Sequence, residues 1–227
     1  MSFSTVKEEP QEVLAMTAAE VQQLRTAART WEATPVTANK LVRREIANSI
    51  DVMLGTGVRI GELLAIRWDD VDLEAAPPTI SIMGAVTAAT DGGGMTYQPA
   101  PKSETSKRVL YLPAFAADAL HRQFAAREFR PRSLTVFPSE SGTLRDPSNY
   151  RAHFRQVRAL AGLDGVTPKT IRKTVTATSY NSDSLDNASQ QLGHSEVGVT
   201  AKHYVQRLNI GPAGVVGVLD DWLQSAS

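Results

Sequence analysis

Residues 56–64 read Thr56-Gly57-Val58-Arg59-Ile60-Gly61-Glu62-Leu63-Leu64. Upstream of them an apolar-periodic stretch from about Thr37 to Leu54 predicts a helix. Gly55-Thr56-Gly57 ends it, because glycine accepts the left-handed conformation that closes a helix. A further helix is predicted from Arg59 to about Trp68. At i and i+3 on that helix Arg59 and Glu62 share a face, which places the carboxylate to orient the guanidinium. Gly57 and Gly61 leave room for another backbone or a phosphate to come close. An isolated arginine is most often a solvated surface residue. An arginine held by an acid between two glycines is a candidate for gripping an anion.

Outward from this stretch the chain alternates helical and extended signals. Thr17-Ala18-Ala19-Glu20 has the spacing of a capping box and opens a helix through about Trp31, with Val21, Leu24 and Ala28 on one face. Residues 79–86, 95–100 and 107–112 read as three strands; Asp91-Gly92-Gly93-Gly94 separates the first two and Lys102-Ser103-Glu104-Thr105-Ser106 the last two. Helical patterns follow over about 114–127, 147–162, 168–181, 184–192, 196–206 and 214–224, with a short apolar piece from Leu134 to Phe137. The expected fold is α+β, mostly α-helical with a small three-stranded antiparallel sheet. Residues 1–15 read as a linker or tether, 16–207 as one domain, and 208–227 as a tail helix. In that tail Asn209-Ile210-Gly211-Pro212 breaks the preceding helix, and Val215, Val216, Val218, Leu219, Trp222 and Leu223 form an apolar stripe in need of a partner.

The 227 residues contain no cysteine, which removes disulfides, thiolate metal sites and cysteine nucleophiles and fits a reducing, intracellular setting. Apolar runs such as Ile80 to Val86 fall well short of the ~20 residues that cross a bilayer, and Met1 to Pro10 is too acidic for a signal peptide, so no membrane association is expected. Formal charge is zero, 24 basic residues against 24 acidic, but the charges are segregated. Lys102 to Lys173 holds 14 Lys and Arg against 6 Asp and Glu, so a +8 segment is balanced by −8 flanks. Segregation of this kind suits one basic surface for a polyanion, and equally suits ordinary solvated helix faces.

Common catalytic signatures are missing: there is no G-x-S-x-G, no Walker lysine, no H-E-x-x-H, and His121, His153, His194 and His203 lack metal spacing. No metal and no cofactor are expected. What remains is a series of short contexts in fixed order. After 56–64 come Pro101-Lys102-Ser103 leading to Lys107-Arg108-Val109, then Thr167-Pro168-Lys169-Thr170-Ile171-Arg172, Leu192-Gly193-His194-Ser195, and Thr200 followed by His203-Tyr204-Val205. In order and context these fragments, from about Met16 to Arg207, closely resemble the catalytic domain of the tyrosine recombinases, the phage integrase family.

That resemblance implies an enzyme that cuts and rejoins DNA strands through a 3′-phosphotyrosyl intermediate, and the residues suit the chemistry. Arg59 and Arg172 would grip the non-bridging phosphate oxygens, with Glu62 in support; planar guanidiniums do this without a metal. Lys102 would protonate the departing 5′ oxygen, and His194 would donate to a non-bridging oxygen. Tyr204 would be the nucleophile, its ester keeping the bond energy for rejoining. Without the family, Lys102 reads as a solvated turn lysine and Tyr204 as a ring packed in the fold. The resemblance further implies double-stranded DNA carrying a core recombination site as partner. It implies a monomer without DNA and a tetramer on it, and a place in the cytoplasm of a bacterial cell or phage-infected host, on the nucleoid when bound.

Two features depart from the family's commonest pattern. Lys169 stands where most members have histidine; at i and i+3 it faces the same phosphate as Arg172, but an ammonium is a poor proton acceptor near neutrality, so it reads as an electrostatic stabiliser. The amino-terminal DNA-clamping domain of full-length members has no counterpart in these residues, which reads as an excised catalytic fragment or a naturally short member. In either case DNA binding is expected to be weak and strongly salt-dependent. A catalytically silent DNA-binding module of the same fold and a type IB topoisomerase-like relaxing enzyme are the alternatives. The tail is expected to pack in cis or be mobile without DNA, and to pass to a neighbouring protomer in the assembly.

Overall fold

The structure is a computed structural model and describes residues 15–34, 45–100, 107–126, 134–182, 209–210 and 214–224. Helix α1 (Ala18–Ala33) starts where the capping box predicts. The Thr17 hydroxyl accepts the Glu20 amide at 3.2 Å, and the Glu20 carboxylate takes the Thr17 amide at 2.7 Å. Its face of Val21, Leu24, Ala27, Ala28 and Trp31 is buried. Helix α2 (Ile46–Thr56) is buried along its whole length. The part of the predicted second helix before residue 45 lies outside the described residues.

Gly55, read from the sequence as part of the stop, is helical instead, and Gly57 is the stop: its φ of 66° is the left-handed conformation, and its amide donates to the Met53 carbonyl at 2.8 Å. Gly55 has a packing role. A Cβ there would stand 2.6 Å from the Ala116 Cβ and 2.9 Å from the Pro113 Cγ, so the missing side chain lets helix α4 (Ala114–Ala126) lie directly on α2. Gly55→Ala is expected to lower the melting temperature. Overpacking costs about 1–3 kcal/mol, against about 1 kcal/mol that alanine gains over glycine in a helix. An unchanged or raised melting temperature would show that α4 yields.

Helix α3 (Ile60–Ala65) is shorter than expected; Arg59 caps it from outside, and a 3₁₀ turn at Trp68–Asp70 follows. Strand β1 (Val71–Asp72) then leads to β2 (Thr79–Ile82), β3 (Gly84–Ala88), β4 (Met95–Pro99) and β5 (Arg108–Tyr111). The predicted single strand over 79–86 is split at Met83. β2 pairs antiparallel with β5, whereas β3 pairs with β4 in a separate hairpin. Gly84, where the chain enters the hairpin, is pressed against Tyr97 and the Gln98 carbonyl, 2.6 Å from where a Cβ would stand. The sheet is therefore four-stranded, in the order β1, β2, β5 and β6 (Asn209–Ile210), with β6 parallel to β5. The mostly helical α+β class with a small antiparallel sheet holds; the count of three strands in one sheet does not.

Helix α5 (Pro147–Leu160) packs on α1, where the Trp31 indole donates to Gln156 at 3.2 Å. Helix α6 (Pro168–Ser182) begins with proline at its first position and the Thr167 hydroxyl accepting the Thr170 amide at 3.3 Å. The helices predicted over 184–192 and 196–206 lie outside the described residues. Asp51, 2% exposed, ties α1 to α2 and α4 by accepting from Arg25 at 2.6 Å and Arg122 at 3.4 Å.

The tail helix α7 (Gly214–Gln224) packs on its own domain. Leu219 and Leu223 are buried, Gln22 donates to the Leu223 carbonyl at 2.9 Å, and Asp220 accepts the Ala114 amide at 3.0 Å at the start of α4. A carboxylate at that helix N-terminus meets an otherwise unpaired amide and the positive end of the helix dipole.

Candidate active site

A cavity of about 1040 Å³ opens between α3, the β3–β4 hairpin, α5 and the start of α6. Among the described residues seven cationic side chains line it, Arg59, Arg108, Arg151, Arg155, Arg158, Lys169 and Arg172, against one acid, Glu62. A concave surface with that imbalance selects an anion.

Local chain geometry sets the centre. Gly57 turns the chain out of α2 and leaves Arg59 extended at the N-cap of α3, so Arg59 precedes the helix and does not lie on it as the sequence suggests. The contact with Glu62 forms all the same. The carboxylate accepts the Arg59 backbone amide at 2.8 Å and its Nη1 at 3.1 Å. Gly61 serves the approach of another backbone: a Cβ there would lie 3.0 Å from the Val86 carbonyl, so α3 rests directly on β3.

Arg172 enters from α6. Its Nη1 donates to the Gly57 carbonyl at 2.8 Å and stands 3.9 Å from the Glu62 carboxylate. One glycine thus shapes the turn that carries Arg59 and holds the second arginine in place. Burial first, and then the charge of Arg59, lowers the Arg172 pKa to about 10, with Glu62 opposing the shift. It stays charged at neutral pH. Lys169, exposed one turn before Arg172, lines the same cavity, as the i, i+3 spacing requires.

The sequence did not single out Arg108. Its side chain is 2% exposed, against 58% for Arg59, and it donates twice to Glu62, at 3.0 and 3.4 Å. The signal was present: in β5 the buried positions are Arg108 and Leu110, so an arginine occupies a core slot of an alternating strand. Burial alone pulls the Glu62 pKa upward. The charge and hydrogen bonds of Arg108, with the Arg59 amide, outweigh it and hold the carboxyl below its usual range. Arg151, Arg155 and Arg158 were counted only within the +8 segment. Their spacing puts all three on the face of α5 that lines the cavity, and Arg158 also donates to the Val166 carbonyl at 2.8 Å, bracing the loop into α6. Lys102, His194 and Tyr204 lie outside the described residues. Among the described residues no three His, Asp or Glu side chains stand together as a metal site.

The family model described as the phage integrase family matches residues 15–209. The chain belongs to the phage integrase family. Among curated relatives it is 28% identical over 184 residues to a tyrosine recombinase XerC-like protein of Caldanaerobacter subterraneus subsp. tengcongensis, covering 74% of this chain and 47% of the relative. It is 32% identical over 176 residues to an integrase of Streptomyces ambofaciens, covering 70% of this chain and 44% of that protein. The chain thus spans about half the length of the curated relatives it matches. Of solved structures, it shares its fold with the Tn1549 transposon integrase in complex with transposon right end DNA, at a TM-score of 0.69 and 18% identity over 84% of this chain and 61% of that one. It also shares it with the XerA recombinase, at a TM-score of 0.61 and 18% identity over 98% of this chain and 65% of the other. This phage integrase family member therefore has the tyrosine recombinase catalytic fold, and its cavity brings together the first and third of the five sequence contexts and Arg108 from the second, with the β3–β4 hairpin and α5 completing the lining.

Proposed function

We propose that this chain is the catalytic unit of a site-specific DNA recombinase. The observation that carries the reading is the pair Arg59 and Arg172, brought from the N-cap of α3 and from α6 to one acid in the lining of a basic cavity. Two guanidiniums so placed match the non-bridging oxygens of a phosphodiester, where negative charge builds during in-line displacement. The phenolic oxygen of Tyr204 attacks phosphorus, its proton passing to solvent water, and forms the 3′-phosphotyrosyl ester as the bond to the 5′ oxygen breaks. The 5′ oxygen takes its proton from Lys102, and His194 donates to a non-bridging oxygen. Rejoining is the reverse, with a 5′ hydroxyl as nucleophile. Chain length supports the role of Tyr204: Asn209, five residues on, pairs with Arg108, and five residues span at most about 18 Å.

Arg151, Arg155 and Arg158 extend the charge from the reacting phosphate toward its neighbours along the DNA backbone. On DNA the reading includes a tetramer, with the tail helix passed between protomers. The test is covalent trapping. The chain is incubated with a nicked duplex carrying its core site, from which the short cleaved strand diffuses away, and the adduct is mapped by mass spectrometry. An adduct on Tyr204 supports the reading. Binding without any adduct would show a silent DNA-binding module, and relaxation of plasmid lacking the site would show a topoisomerase.

Lys169 gives a graded prediction. As an exposed cation beside Arg172 it adds field without accepting the tyrosine proton, so Lys169→Ala should slow adduct formation less than Arg172→Ala does. Lys169→His should keep or modestly raise the rate near neutral pH, since imidazole accepts a proton there. Single-turnover rates on the trapping duplex decide it. A Lys169→Ala defect as large as that of Arg172→Ala would assign the lysine a proton-transfer role.

A further inference from the structure

Glu62 is surrounded by three arginines, and its hydrogen bonds are unevenly shared. Oε2 accepts the Arg59 amide at 2.8 Å and Arg108 Nη2 at 3.0 Å; Oε1 accepts Arg59 Nη1 at 3.1 Å and Arg108 Nη1 at 3.4 Å. A carboxylate has about four lone-pair positions, and these contacts occupy all of them. Arg172 stands at 3.9 Å from Oε2, an ion-pair distance beyond hydrogen-bond length, and donates to Gly57.

We infer that Arg108 is a positioning residue: by occupying the Glu62 lone pairs that face β5, it keeps the carboxylate from closing on Arg172 and neutralising it. The inference rests on the reading of the cavity as a phosphate site. A buried ion pair is weak evidence for stability, since an apolar residue of similar volume often serves as well. Arg108 is also an expensive side chain to bury, because its Nε finds no hydrogen-bond partner among the described residues. The charge on Arg108 has a use that packing does not supply. With two cations needed for the phosphate, their shared acid needs a third, buried cation whose paired donors are spent on it. Arg108 meets that requirement at 2% exposure. Its backbone is fixed on both sides, by Ile82 of β2 and Asn209 of β6.

The test uses Arg108→Met and Arg108→Lys, each alone and combined with Glu62→Gln, and each first checked by thermal melting. On the trapping duplex Arg108→Met should lower the saturating single-turnover rate about 10- to 100-fold, with little change in the protein concentration giving half-maximal rate, since most phosphate contacts survive. Adding Glu62→Gln to Arg108→Met should recover several-fold of the loss, because the acid that closes on Arg172 has gone. A merely structural role predicts a further loss on adding it, and that outcome overturns the inference. If Arg108→Met does not fold, Arg108→Lys, which keeps the charge but not the paired donors, should show an intermediate loss, again relieved by Glu62→Gln. A wild-type rate in Arg108→Lys that Glu62→Gln does not raise overturns it as well. The crystal structure of whichever variant folds gives a readout independent of cleavage: the Glu62 to Arg172 distance should fall from 3.9 Å to hydrogen-bond length, and an unchanged distance overturns the inference. Should the wild-type chain form no adduct, the functional reading fails while that distance still decides the role of Arg108.

Discussion

Tyr204→Phe is expected to abolish covalent attachment to DNA while leaving the melting temperature and non-covalent DNA affinity nearly unchanged. Only the phenolic oxygen is lost, and that oxygen is the atom that would bond to phosphorus, so no fraction of the displacement survives. On the proposed reading affinity would rest on phosphate contacts from the arginines around the cavity, so it should persist, and it should fall steeply as salt rises. Two of the other tyrosines, Tyr150 and Tyr97, are poor substitutes. Tyr150 is fully buried and bonded to the Ser49 hydroxyl at 3.0 Å, and burial pushes its phenol up to about 12. Tyr97 lies under the Arg67 guanidinium, 4.3 Å from its ring centre, and burial raises its pKa too. Denaturing gels of the trapping reaction, with peptide mapping of any residual adduct, are the measurement. An adduct on Tyr97, Tyr111, Tyr150 or Tyr180 in the wild-type chain would displace Tyr204 as nucleophile.

Arg172→Ala is expected to cost the second-largest effect, about 10²- to 10³-fold in the rate of adduct formation, the range found when one preorganised donor is removed from a developing oxyanion. The side chain is held before substrate arrives, by the Gly57 carbonyl at 2.8 Å, so little of its binding energy is spent on ordering. Arg172→Lys should recover only part of the rate, since an ammonium keeps the charge but not the planar paired donors. Stability should move far less, by about 1 kcal/mol for the Gly57 carbonyl left without its donor. Single-turnover kinetics beside thermal melts separate the two. A rate loss no larger than the stability loss would mean that Arg172 braces the turn and does not hold phosphate.

The helical class and the Arg59–Glu62 contact were legible because both depend on near neighbours. A capping box spans four residues, and the acid three places after Arg59 reaches it whether Arg59 lies in the helix or caps it. The Lys169–Arg172 face was legible for the same reason. Periodicity reports which side of an element is buried but not what it is buried against. The split at Met83 was therefore invisible: it is decided by β2 finding β5 and β3 finding β4. The parallel pairing of β6 with β5 joins residues about a hundred positions apart.

The site divides in the same way. Sequence order and context were enough to name Arg59 and Arg172, and the turn glycine before the first of them, but not Arg108. Only tertiary structure brought Arg172 to the Gly57 carbonyl across 115 residues and Arg108 to Glu62 across 46. Such contacts depend on how α6 and β5 pack around α3, and no local spacing encodes that. A buried charge is tolerated only where its partners already stand, so the role of Arg108 was set by the fold and not by its neighbours in the chain.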